Sequence, residues 1–298
     1  MKKTSVLFCL SLFGCLTAET SLQAQAVLSG AGGIDLKGGS AFVPSSQTGL
    51  TSRFLWLPDK AALRFGRYNT TPNPANVGQD SIAGGFNASA QGQGSVAFGY
   101  GALASGDGSL AIGGDPTDFG WGSPVASDFG AIALGLGSAA TKPHSVAIGS
   151  KSVADMERSA AFGFRSEAHG EGSLALGPES LVFGMEANAI GFGCHVYSDS
   201  STAIGSYATA DGKHSTAIGY SVYAGSVGGV AIGHYNEGRK KDGIHWPDPN
   251  VASPDDPIFE IGTGDVELSL QKNALTIFRD GTVRLSKASG GISMGQFQ

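Results

Sequence analysis

Ser145-Val146-Ala147-Ile148-Gly149 is followed fourteen residues on by Ser159-Ala160-Ala161-Phe162-Gly163, and fourteen further by Ser173-Leu174-Ala175-Leu176-Gly177. Units of this kind start at 81, 95, 109, 131, 145, 159, 173, 187, 201, 215 and 229. Ala holds the third position and Gly the fifth in all eleven. One step breaks the period: between 109 and 131 an eight-residue insertion, 114–121, is added. A fixed period predicts a stacked array in which each unit touches only its neighbours.

Strict alternation over five residues predicts a strand, with positions 2 and 4 on one face and position 3 on the other. Position 10 is small or β-branched, from Ala90 and Ala104 to Val182, Val196 and Ala224. Gly, Ser and Asn between the halves suit turns. Each unit therefore reads as two short strands and two turns, stacked as a parallel coil. So small a circumference leaves room only for small side chains between the strands, which places Ala inside and the bulkier residues outside. The outward stripe is then Val96, Phe98, Leu110, Ile112, Ile132, Leu134, Val146, Ile148, Leu176, Ile190, Ile204, Ile218 and Ile232. An exposed apolar row of that length marks an association surface, so the stripe reads as the seam of an obligate oligomer. Alternation alone does not set the sign, and the opposite assignment, with larger residues inside, stays open here.

Gly makes up 47 of 298 residues, charged residues are 15%, and the net charge is −6. The acidic balance gives no basic patch for a nucleic-acid partner. Lys2 and Lys3, the apolar run Ser5 to Leu16 and the small-x-small site Ala24-Gln25-Ala26 form a secretory signal over 1–26, cleaved after Ala24 or Ala26. The alternative is lipidation at Cys15. Cys9 and Cys15 lie in the signal, which leaves Cys194 without an intrachain partner. Residues 27–80 read as a loosely ordered stretch to 52, then a hairpin of Phe54-Leu55-Trp56-Leu57-Pro58 and Ala62-Leu63-Arg64-Phe65-Gly66 that caps the stack. The repeats occupy 81–236. Residues 237–298 read as a polar linker, 239–254, with Asp255-Asp256 solvated at its end, followed by strands Pro257–Gly262, Asn273–Phe278 and Val283–Leu285.

The repeat resembles the YadA-like head of the trimeric autotransporter adhesins, which carries Ser-Val-Ala-Ile-Gly units at the same spacing. The resemblance covers Ser81 to about Asn236. It implies an all-β fold, a left-handed parallel β-roll, with trimerisation along the Val/Ile face. It also implies a non-enzymatic surface or secreted adhesin-like function, with multivalent binding to host, matrix or glycan surfaces. A structural rod or phage-tail-fibre-like receptor-binding protein is the alternative. The C-terminal strands resemble connectors that follow such heads. No heptad stretch or membrane-strand pattern is found, so the expectation is a head without the C-terminal membrane anchor, secreted or associated with the bacterial surface or outer membrane.

No catalytic, cofactor or metal site emerges. His144 and His214 share position 14 but lie five coils apart, and His169, His195, His234 and His245 fall at other positions. Cys194 reads as a buried thiol with no base in register. No phosphate loop or calcium repeat is present. The insertion carries Phe119 and Trp121, a possible ligand loop because long loops on rigid scaffolds often bind. The ligand itself is not encoded by the scaffold repeat.

Overall fold

A chain that places Val146-Ala147-Ile148 fourteen residues before Ala160-Ala161-Phe162 can satisfy its backbone polar groups by laying one unit on the next, and it does. In the structure, a computed structural model describing residues 25–28, 34–37, 51–69, 73–116, 122–265 and 270–285, Val146 pairs with Ala160, Ala147 with Ala161 and Ile148 with Phe162. The Val146 N–H donates to the Ser159 carbonyl at 2.9 Å. Repeated along the array, this builds two sheets back to back: a sixteen-stranded sheet containing the unit strands, and a ten-stranded sheet of two-residue strands such as Val153–Ala154. The described residues contain strands and two short 3-10 turns, with no α-helix. The fold is a parallel β-solenoid with fourteen residues per coil.

The interior settles the sign that alternation left open. Every position-3 alanine, from Ala83 to Ala231, is at most 1% exposed, and position 10 is equally closed from Ala90 to Ala210. The larger residues at positions 2 and 4 point outward. Position 1 is interior too. The hydroxyls of Ser95, Ser109, Ser145, Ser159 and Ser173 donate to carbonyls three residues back at 2.6–2.7 Å. A buried hydroxyl needs such a partner, which is why Ser opens most units. Half a coil later the same device recurs: Ser138, Ser152 and Ser166 donate to Gly135, Gly149 and Gly163 at 2.9–3.1 Å. The coil is thus two seven-residue halves. Each ends in a left-handed corner, at Lys151 (φ 58°) and Arg158 (φ 57°) in one coil, and at Arg165 (φ 53°) in the next.

Position 5 is invariant for a different reason. Gly205 has φ +130°, and a Cβ there would sit 2.0 Å from the Gly219 carbonyl oxygen of the next coil. Only glycine combines that φ with so close a backbone.

Charged residues close both ends of the alanine column. In the hairpin Thr51–Leu57 and Ala62–Tyr68, the second strand adds in parallel to the first unit strand, with Arg64 opposite Ala83. Arg64 is 2% exposed and donates to the Ser81 carbonyl (3.0 Å), the Ser81 hydroxyl (2.7 Å) and the Ala90 carbonyl (2.6 Å). At the other end Pro257–Thr263 continues the sheet in parallel, Glu260 opposite Ala231, and Asn273–Phe278 and Val283–Leu285 complete an antiparallel meander. Glu260 is 3% exposed and accepts from the Asn273 amide (2.5 Å), the Asn236 amide (2.8 Å) and the Gly238 N–H (3.1 Å).

Three expectations about the ends change. Gln25–Leu28 and Ile34–Lys37 form an antiparallel pair that runs from the end of the expected signal into the stretch expected to be loosely ordered. The polar segment 239–254 is not a free linker. Arg239 lies 4.3 Å over the Trp246 ring, Trp246 packs edge-on against Tyr223, the Pro249 carbonyl accepts from the Lys213 N–H, and Lys241 pairs with Asp280 at 2.6 Å. Asp256 is fully buried rather than solvated, accepting from the Ser253 N–H at 2.7 Å with Lys240 3.7 Å away.

Two predictions follow from this geometry. Gly205→Ala should cost about 3 kcal/mol or more, since it adds a clash to a strained φ. Gly228→Ala has φ +63° and open space around its Cβ, so it should cost only about 1–2 kcal/mol; equal denaturation midpoints for the two would refute the packing argument. Burial pushes the Glu260 carboxyl up to about 7, against the opposing donors Asn273, Gly238 and Asn236. An acid whose pKa is higher folded than unfolded binds more protons when folded. Stability should therefore fall between about pH 4.5 and 7, by up to about 3 kcal/mol. Glu260→Gln should flatten that part of the stability–pH curve.

Candidate functional site

The outward row is built by register. Ile132, Val146 and Ala160 stack in one column at position 2, and Leu134, Ile148 and Phe162 in the adjacent column at position 4. All thirteen residues expected at the seam fall in these two columns on one face. Ile112, Leu176, Ile204 and Ile218 are 36–43% exposed, and Val96, Phe98, Leu110, Ile132, Leu134, Val146, Ile148, Ile190 and Ile232 are half-buried. The one gap in the position-4 column, Gly84, is covered from the hairpin. Phe65 ring carbons lie 2.5 Å from where a Gly84 Cβ would be, and Phe65 packs against Phe98 with centroids 5.8 Å apart.

The histidines are not brought together. His144 and His214 occupy left-handed corners, and His245 pairs locally with Asp242 at 2.6 Å. Among the described residues no group of three or more His, Cys, Asp or Glu is placed to hold a metal ion. Cys194 is fully buried at position 8, and burial raises its pKa, which suppresses the thiolate a nucleophile needs. Phe119 and Trp121 of the insertion lie outside the described residues.

The outer face of the short-strand sheet carries a feature that sequence reasoning passed over. His169, Phe183 and Tyr197 share position 11, and in-register stacking must put their rings over one another. Centroids are 5.3 Å and 5.9 Å apart with planes within 19°. His169 Nδ1 meets Asp155 at 2.9 Å and Nε2 meets Glu167 at 3.0 Å. A second ladder, Phe192, Tyr207, Tyr220 and His234, climbs the coil corner with centroids 5.1–6.1 Å apart. The signal was the fourteen-residue spacing of His169, Phe183 and Tyr197, and spacings of thirteen to fifteen in the second ladder.

A two-sheet parallel coil lined mostly by alanine, with serine-bonded turns and an apolar outer row, defines a β-solenoid module. The sequence signature of the YadA head domain repeat (2 copies) matches residues 77–102, 90–115, 126–152, 154–180 and 198–221. The repeat array is therefore a YadA-like head. No curated protein matches the chain. Among the described residues no helix is long and apolar enough to cross a membrane, which says nothing of β-strand spans.

Partial burial lowers the His169 pKa, but the Glu167 and Asp155 carboxylates outweigh it and the net shift is upward. Titration followed by NMR should show His169 holding its proton above the free-histidine range, near pH 6.5. In an Asp155→Asn, Glu167→Gln double variant the same ring should titrate below that range. An unchanged midpoint would mean the carboxylates do not hold the proton.

Proposed function

We propose that the chain assembles as a homotrimer along the outward apolar columns and acts as a non-enzymatic, adhesin-like protein at the bacterial surface or in the secreted state. The observation that carries this reading is the two-column apolar row on a coil whose interior takes only small side chains, mostly alanine and serine. The coil needs none of those outward side chains to close its own core. Fully burying a Val, Leu, Ile or Phe side chain contributes roughly 1.5–3 kcal/mol. The half that remains exposed in one chain therefore favours association by on the order of 1 kcal/mol per residue. The likeness to the YadA head supports three copies in particular. The signal over 1–26 supports export.

Three copies present each surface feature three times, so weak contacts to host, matrix or glycan surfaces would combine into avidity. With the long-strand sheet turned to the seam, the short-strand face and the coil corners are what such an assembly shows to the outside. The His169–Phe183–Tyr197 ladder lies there, among residues that depart from the repeat.

Light scattering should give three times the chain mass. Ile148→Asp combined with Ile204→Asp should release folded monomers with an unchanged β-sheet circular dichroism spectrum. A parent chain that is monomeric at micromolar concentration would overturn the reading.

A further inference from the structure

The apolar seam does not stop where the repeats stop. Neither cap contains the Ser-φ-Ala-φ-Gly unit, and both lie outside the stretches that match the head repeat. Yet each continues the same two outward columns in register. At the N-terminal end Leu63 pairs with Ile82 and in turn with Trp56, and Phe65 pairs with Gly84 and in turn with Phe54. At the C-terminal end Ile261 follows Ile232, then Leu275 and Leu285; Phe259 follows Val230, then Ile277 and Val283.

The inward side chains alone close the roll. Leu55, Arg64, Glu260 and Thr276 lie in the alanine column's continuation and are at most 4% exposed. The outward ones do nothing inside the chain: Phe54 is 53% exposed, Trp56 38%, Val283 56% and Leu285 50%. A cap that faced water in the assembled protein would carry polar residues there. Position 2 shows that such a change is tolerated within the fold. It turns polar at Asn188, Thr202 and Thr216, then reverts to Val230 and stays apolar through Phe259, Ile277 and Val283.

We infer that both caps are part of the interface between copies of this chain, so that the seam spans all sixteen strands of the long sheet rather than the eleven of the repeats. At about 4.8 Å per strand that is a contact on the order of 70 Å tall. The occupant is a second copy of the same chain, because the cap columns are continuous and in register with the repeat columns. The inference rests on the homotrimer reading above.

Cysteine cross-linking separates the two. In the full chain, Ile148→Cys reports the repeat seam, Phe54→Cys the N-terminal cap and Leu285→Cys the C-terminal cap, all three in the position-4 column, each compared with the parent chain after mild oxidation on a non-reducing gel. Around a threefold axis equivalent residues meet where their column lies next to the axis, and these three positions share one column. All three variants should give a reducible covalent dimer band well above the parent. If Ile148→Cys cross-links and the two cap variants stay at the parent level, the caps are lids of single chains and the inference fails while the trimer stands. If none cross-links and the chains sediment as monomers, the trimer reading fails as well. Circular dichroism confirms that each variant retains the parent's sheet content.

Discussion

Everything in this structure depends on how little space two strands leave between them when a coil has only fourteen residues. The gap admits Ala and Ser along most of its length, and Val or Cys at Val182, Cys194, Val196 and Val222. That constraint selects Ala at positions 3 and 10 and makes Ser useful at positions 1 and 8, where its oxygen reaches a turn carbonyl. It also drives the Leu, Ile and Phe side chains of the repeats to the outside. The chain cannot build a core of Leu and Phe in the ordinary way, so the apolar surface that a globular domain would bury internally is left for a partner.

Where the column ends, the same narrowness meets a different problem. At one end the Ser81 and Ala90 carbonyls, which accept from the Leu63 and Gly78 N–H groups, have a second lone pair to offer; at the other the Gly238 N–H needs an acceptor. Arg64 and Glu260 fill these positions with the complementary chemistry: a donor fork over the carbonyls at one end, an acceptor pair for the Gly238 N–H and the Asn236 and Asn273 amides at the other. Two side chains of opposite charge do the same structural task because each meets the polar groups that its own end of the column presents.

Much of this was legible in the residues. The period gave the coil, and the invariant Ala gave the thinness from which the outward stripe was argued. The phrase Leu63-Arg64-Phe65-Gly66 and the phrase Phe259-Glu260-Ile261-Gly262 were recognised only as strands. Each is in fact positions 2 to 5 of a unit with a charge in place of Ala, and the charge hid the match. Asp256 and the polar segment before it were misread because Lys, Asp and Pro signal solvent in isolation, whereas here they meet partners from distant coils. The His169 ladder was missed because its members were weighed as separate residues rather than as neighbours one coil apart. Sequence distance is a poor guide in a solenoid; phase within the repeat is the better coordinate.

The stacking of identical backbones has one more outcome. Because each coil bonds only to the coils directly above and below, a duplicated or deleted fourteen-residue unit lengthens or shortens the rod by a single strand spacing, about 4.8 Å, and leaves both ends, the phase of every column and the outer seam unaltered. Reach is then an inherited quantity that can be adjusted in small equal steps by recombination between near-identical repeats, without redesign of any contact. The eight-residue insertion at 114–121 shows that a coil also tolerates a departure from that step, since the sheets on either side of it resume in register.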